Sequence, residues 1–286
     1  MPEQHFYRTA EEIRDAIENV QSNFPFANYI RRGEVEGMTI LATKICQHLQ
    51  IPNPRLLDIG CGPMDKTAVF AELGFQCAAV DDLSDDWHRR EDHFERIQAF
   101  ALQMNIDFQL QDFGNYSIPF PDQSFDVVSL FAVIEHLHES PAELLNRAGA
   151  LLKPQGLLCI TMPNSVNLRK RLSVLRGKTN YPPVDQFFLN PGPWRGHVRE
   201  YTLSETRYIL EAMGFEILEA VHFEEIAYNQ LGPLALTVFS LMTSIVPSFM
   251  SGICVIARKP SSWKQYQHDP KAWRLAVAES VPDGVR

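Results

Sequence analysis

No Cys-x-x-Cys pair occurs in this chain, and its five cysteines (Cys46, Cys61, Cys77, Cys159, Cys254) are scattered, odd in number and mostly set in apolar runs. That pattern excludes a disulfide framework or a thiolate metal site and fits reduced thiols in the core of a cytoplasmic protein. Basic residues are also in short supply: 26 Lys and Arg face 35 Asp and Glu, for a net charge of −9. Attachment to nucleic acid through bulk electrostatics is therefore excluded, and no DNA partner is expected. The N-terminal "MPEQHFYRTAEEIRDAIENV" has acids where a secretory signal carries its apolar core. No internal repeat is present. What is there, 45% hydrophobic side chains over 286 residues, suffices to bury a large core.

Apolar spacing predicts helices within 8–50, through Ile13, Ile17 and Val20 and then Ile40, Leu41, Ile45 and Leu49. "IPNP" breaks that pattern. Strands are then expected at 56–59, 76–80, 106–109, 125–130, 157–162, 215–221 and 253–257, with helices near 66–73, 86–103, 141–152 and 204–213. Alternation of this kind reads as α/β, a Rossmann-like seven-stranded mostly parallel sheet with flanking helices. The last two strands have no clear crossover helix, so an antiparallel last strand at one edge is expected. The organisation reads as an N-terminal helical lid (1–50), a main domain (51–258) with insertions at 165–200 and 226–251, and a loosely attached extension (259–286) bearing Trp263 and Trp273.

The segment "RLLDIGCGPMDKT" ends an apolar run in Asp58 and then Gly60-Cys61-Gly62. Glycine at a strand-to-helix turn lets the backbone bend sharply and approach a ligand, and Asp58 offers oxygens to a cation. The next strand ends in Asp81-Asp82, suited to the two hydroxyls of a ribose. The third ends near Asp112, suited to the amine of an adenine, with Phe113 beside it as an apolar surface. Acids ending three successive strands favour a positively charged nucleoside over a pyrophosphate. A nicotinamide-binding dehydrogenase is rejected, because Asp65 stands where Gly-x-Gly-x-x-Gly needs its third glycine.

With these residues the sequence resembles the class I S-adenosylmethionine-dependent methyltransferases, in their ubiquinone-methyltransferase-like branch. "LLDIGCG", "VDDLS", "DFGNYSIPFPDQSFDVVSL" and "LLKPQGLLCITMPN" carry the resemblance, which covers roughly residues 50–258. It implies S-adenosyl-L-methionine as cofactor, its methionine end held by Asp58, Gly60, Cys61 and Gly62, its ribose by Asp81 or Asp82, and its adenine by Asp112 and Phe113. Pro63-Met64-Asp65 departs from the relatives, many of which carry a third glycine, and predicts a stiffer loop with an added acid.

A methyl acceptor bearing a hydroxyl calls for a base. "FAVIEHLHESP" supplies Glu135, His136 and His138, and "WRGHVREYT" supplies His197. His136 and His197 are the candidate bases, with Glu135 beside them, while His138 is expected in solvent. "AVIEHL" is similar to a Glu-x-x-Glu-His segment of ubiquinone-pathway O-methyltransferases and of small-RNA terminal 2′-O-methyltransferases, the latter completing a metal site with a downstream histidine. Here Ala132 replaces the first carboxylate. That mismatch leaves Glu135, His136 and His197 as three potential ligands and places metal behind acid–base chemistry, so no metal enters the first reading.

For the acceptor, the basic run Arg169, Lys170, Arg171, Arg176, Lys178 suits a phosphate or carboxylate, or else a solvated helix face. The following loop, with Pro182, Pro183, Pro191 and Pro193 and the aromatics Phe187, Phe188 and Trp194, reads as a substrate lid. No residue from 226 to 257 is charged. Its polar and proline interruptions, and the need to keep the last two strands in one sheet, exclude a membrane span. Burial in the domain or in a homodimer is expected there, with peripheral membrane contact through 231–250 as the sharper alternative. The reading is thus a methyltransferase for a small-molecule, sugar or lipid-linked acceptor, cytoplasmic or at the inner face of the membrane. A metal-assisted RNA or quinone-type methyltransferase and a non-catalytic cofactor-binding protein are the alternatives.

Overall fold

The computed structural model describes residues 8–111, 116–225, 232–272 and 274. Asp112, Phe113 and Trp273 lie outside them. The strands are β1 (Arg55–Ile59), β2 (Gln76–Asp81), β3 (Asp107–Leu110), β4 (Phe125–Phe131), β5 (Leu152–Pro163), β6 (Glu216–Phe223) and β7 (Gly252–Arg258). They form a single sheet in the order β3-β2-β1-β4-β5-β7-β6. β7 runs antiparallel to both neighbours, and all other pairings are parallel. β7 is thus slotted between β5 and β6, and the outermost strand is β6, whose side chains are mostly half-buried. Central β4 is buried along its whole length, as a parallel strand covered on both faces must be.

One face is covered by α1 (Ala10–Asn23), α2 (Arg32–His48), α3 (Asp65–Glu72) and α4 (His93–Gln103), the other by α5 (Ala142–Leu151) and α8 (Leu203–Ala212). Ile13, Ile17 and Val20 of α1 and Met38, Leu41 and Ile45 of α2 share one apolar core with Phe70, Phe100 and Ile256. The first helices are therefore packed into the domain's core. Thr9 and Thr202 start α1 and α8 through reciprocal capping boxes with Glu12 and Glu205. The helix expected from 86 starts only at His93. Asp82 and Asp85 accept the backbone N–H groups of Ser84 and Trp87, which holds that stretch in turns. The five cysteines are buried and unbridged.

Two expectations are corrected. The segment after β7 is firmly anchored at its start: the Trp263 indole N–H donates to the Met213 carbonyl at 2.9 Å, and its ring fills the space where Gly149 has no side chain. Asn146 exchanges two hydrogen bonds with the Tyr266 backbone. The uncharged insertion forms α9 (Pro233–Ile245), and most of its side chains are exposed rather than buried. No helix of the described residues is long and apolar enough to cross a membrane.

Replacing Trp263 by Ala removes a half-buried aromatic and opens a void beside Gly149, and is expected to cost about 2–4 kcal/mol. Gly149→Leu, which collides with the same ring, should destabilise comparably. Urea denaturation of both variants measures this, and wild-type midpoints would show that the segment is not part of the core.

Candidate active site

The strand order reverses between β1 and β4, and a crevice opens there at the carboxyl ends of the strands. The β1–α3 turn forms its floor. Gly60 has φ +74°, donates to the Val80 carbonyl at 2.8 Å, and would carry a Cβ 2.6 Å from Val133. Gly62 (φ +52°) is uncrowded, a Cβ there meeting only His88 Nε2 at an ordinary contact distance of 3.7 Å. Gly60 is thus required by the fold, and Gly62 leaves room for a ligand. In place of a third glycine, Met64 takes φ 64° and is fully buried, bracing the turn from below. Asp65 pairs with Lys66 at 3.3 Å. The Cys61 thiol is buried and pushed well above its ordinary value by that burial, so this residue presents only backbone to the crevice.

Asp58 does not reach into the open crevice. It is 1% exposed, and its two oxygens accept from Thr67 Oγ1 at 2.6 Å and Ser129 Oγ at 2.8 Å, tying β1 to α3 and β4. Burial lifts its carboxyl to about 7 against those hydrogen bonds. Asp81 and Asp82 divide their work. Asp81 accepts the N–H groups of Gly62 (2.8 Å) and Leu83 (2.7 Å) and so staples the turn. Asp82 accepts from Ser84 N–H with one oxygen and meets Arg195 at 3.4 Å with the other. Asp82 is the more accessible of the two. His88 is drawn down by burial, with Asp81 opposing, and its buried Nδ1 has no partner; the sequence reading passed over it.

Residues 194–201 cross the crevice as a strap. The Glu135 carbonyl accepts the N–H groups of Val198 (2.7 Å) and Arg199 (3.2 Å), and Tyr201 bridges to Asn164 beyond β5. Trp194 and Arg195 carbonyls meet His138 Nε2 at 2.9 Å and His136 Nδ1 at 2.7 Å, so His138 is tied to the strap. Because a carbonyl only accepts, Nδ1 of His136 carries its proton and Nε2 keeps a lone pair. His197 is set the same way: its Nδ1 donates to Glu200 at 2.7 Å, and Glu200 also pairs with Lys170. The two imidazoles meet edge to face, 4.8 Å between centroids.

Glu135, in the 3-10 turn Ile134–His136, is 0% exposed, and among the described residues neither carboxylate oxygen has a partner. One ligand atom each from Glu135, His136 and His197 lies within 4.8 Å of the other two. Burial pushes the Glu135 carboxyl up to about 8, with Glu225 adding to the rise. Burial, then His136 and Lys170, push His197 down to about 4. The three candidate residues named from the sequence therefore meet in one place. Lys170 was named only as part of a basic run for an acceptor anion, and it pairs instead with Glu200; Arg195, Glu200 and Glu225 were missed, and only the three-residue spacing of His197 and Glu200 hinted at one of them. A cavity of about 600 Å³ adjoins the cluster, lined by Ser165, Asn180, Tyr181, His197, Arg199 and Glu200 among others.

Asp82→Ala should weaken binding of S-adenosylhomocysteine about tenfold, the cost of a charge-assisted hydrogen bond. Asp81→Ala should instead lower the melting temperature, because two backbone N–H groups lose their acceptor. Calorimetry and thermal melts on both variants test this, and the reverse assignment would refute it. Glu135 gives a pH signature. A carboxyl raised from 4.5 to about 8 binds its proton more tightly in the folded chain. Its contribution is whole below the unfolded value and is lost as pH rises through the folded one. Glu135→Gln should thus be more stable than wild type at pH 8, by a few kcal/mol at most, and lose that advantage at pH 4–5.

A family model described as "Methyltransferase domain" matches residues 13–220. The ubiquinone biosynthesis O-methyltransferase of Xanthomonas campestris pv. campestris is 26% identical over 131 residues, covering 46% of this chain and 52% of that protein. This chain therefore spans about half the length of the curated relatives it matches. Among solved structures, the 1,6-didemethyltoxoflavin-N1-methyltransferase of Burkholderia thailandensis, with 1,6-didemethyltoxoflavin and S-adenosylhomocysteine bound, is 18% identical at a TM-score of 0.51, covering 88% of this chain and 89% of that one. The [4+2]-cyclase SpnF matches at 19% and 0.51, covering 89% and 98%. At these identities the two structures show a common fold only. The family model covers well over half of the chain, from α1 through β1–β5 and the strap into β6, so the chain belongs to the methyltransferase-domain family.

Proposed function

We propose that the chain is an S-adenosylmethionine-dependent O-methyltransferase acting on a hydroxyl of a polar small molecule. The observation that carries this is the Glu135–His136–His197 cluster, which lies beside a cavity with several polar side chains and at the same sheet edge as the glycine turn. The residues fit the cofactor: Gly62 brings bare backbone to the turn, and the half-buried Asp82 at the end of β2 would offer its carboxylate to the ribose hydroxyls. Bound there, the cofactor supplies an electrophilic methyl group on a sulfonium. The chain's own part is to hold the acceptor in line, exclude water, and accept a proton at an imidazole Nε2. Tyr181 and Asn180 offer a face and an amide for a polyol, which favours a sugar-like acceptor.

The same cluster supports a second reading, a divalent cation held by Glu135, His136 and His197. Both imidazoles have Nδ1 engaged and Nε2 free, and the carboxylate beside them is buried without a partner. A cation there would lower the pKa of a bound hydroxyl. His197 on its own, drawn down to about 4, is a weak base near neutral pH, which leaves His136 as the base if no cation binds.

Production of S-adenosylhomocysteine in a screen of sugar and sugar-lipid acceptors tests the activity. His136→Ala and His197→Ala should each cut turnover about 100-fold while leaving S-adenosylhomocysteine binding within about threefold. Abolition by a chelator with recovery on Mg²⁺ or Mn²⁺, and a metal-induced rise in melting temperature that Glu135→Gln lacks, would select the cation. Chelator-insensitive turnover would select His136 alone. A folded wild type that binds no S-adenosylhomocysteine would remove the proposal.

A further inference from the structure

The helix α9 presents Leu234, Val238, Leu241 and Ile245 at spacings of four, three and four, which places them on one helical face. They are 49–79% exposed. Behind them Thr243 is buried and Met242 half-buried, so the helix rests on the protein by one side and offers an apolar stripe on the other. After α9 the chain turns through Pro247–Phe249 onto α6 (Leu168–Leu175), where Arg171 donates to Ser248 Oγ at 2.8 Å and lies over the Phe249 ring. α6 then leads to α7 (Val184–Phe188), whose Phe187 and Phe188 are also exposed.

We propose that α9 and the α6–α7 segment together form a docking surface for an anionic lipid bilayer. At about 1.5 Å per residue, α9 is about 20 Å long, against about 30 Å of hydrocarbon, so it lies along an interface and does not cross it. The charge pattern selects the occupant. From 163 to 184 there is no acid, and Arg169, Arg176 and Lys178 are exposed and pair with no described carboxylate. In a chain of net charge −9 this local reversal complements anionic headgroups. A second copy placed on the same patch would set these cations against their own counterparts. Apolar stripe and cationic fringe are the two components of interfacial binding.

The surface stands independently of the proposed activity, but its bearing on the acceptor rests on that reading. Asn180, Tyr181 and Pro182, between α6 and α7, line the cavity beside His197. Docking would bring that cavity to the headgroup layer and select an acceptor carried on a lipid.

The test is co-sedimentation of the full chain with vesicles of phosphatidylcholine alone and of about three parts phosphatidylcholine to one part phosphatidylglycerol. Wild type should pellet with the anionic vesicles and stay largely in solution with the neutral ones. Val238→Asp with Leu241→Asp, and separately Arg176→Glu with Lys178→Glu, should each lower the bound fraction at least about tenfold, and high salt should weaken wild-type binding. All four side chains are exposed, and unchanged S-adenosylhomocysteine binding in the same preparations verifies the fold and reads the cofactor assignment separately. Wild type remaining in solution with anionic vesicles, or variants that pellet equally well, would overturn the proposal. So would a wild-type dimer that Val238→Asp with Leu241→Asp dissolves while vesicle binding persists.

Discussion

The carbonyl of Glu135 accepts two backbone N–H groups from Val198 and Arg199, and the candidate site depends on that junction. It brings a segment some sixty residues later in the chain onto the tip of β4. With it come the Nε2 of His197, the carbonyl that orients His136, and the Arg195 guanidinium that meets Asp82. One residue thereby contributes in two ways, its backbone holding the strap and its side chain facing what the strap encloses.

The electrostatics of the crevice follow from burial. Asp58, Glu135 and Glu225 are all raised by desolvation, and an isolated carboxylate in such a place is costly. The fold meets this cost differently at each. Asp58 is satisfied by two hydroxyls and serves the scaffold. Glu225 lies near Lys66, whose ammonium is held up by Asp65 and Glu225 against the lowering effect of burial. For Glu135, no partner meets either oxygen among the described residues. An unsatisfied buried carboxylate beside two correctly oriented imidazoles is a destabilising arrangement that a bound ion or acceptor would relieve, which is the usual relation between strain and function.

The two sides of the sheet edge also differ in polarity. The cavity by His197 mixes amide, hydroxyl and charged groups with Val166, Pro182 and Val198, whereas α7 and α9 expose mainly aromatic and aliphatic side chains. That contrast is what the proposed docking on a bilayer would use, the rim meeting the interface and the cavity the polar group.

By itself the sequence determined the seven strands, to within a few residues, and the cofactor turn, because both depend on local patterns: apolar runs, glycine at a left-handed turn, and acids at strand ends. It also named Glu135, His136 and His197. It could not show that Asp58 is engaged by Thr67 and Ser129 and Asp81 by Gly62, since those hydrogen bonds join residues that meet only once the strands pair and α3 folds back on them. Nor could it place β7 between β5 and β6, find the partners Lys170, Glu200 and Arg195, or dock Trp263 on Gly149. The uncharged run around α9 looked like core by composition. Only the tertiary structure decided that its apolar side chains face outward, because hydrophobicity is a property of residues, whereas burial is set by whatever else the chain has available to cover them.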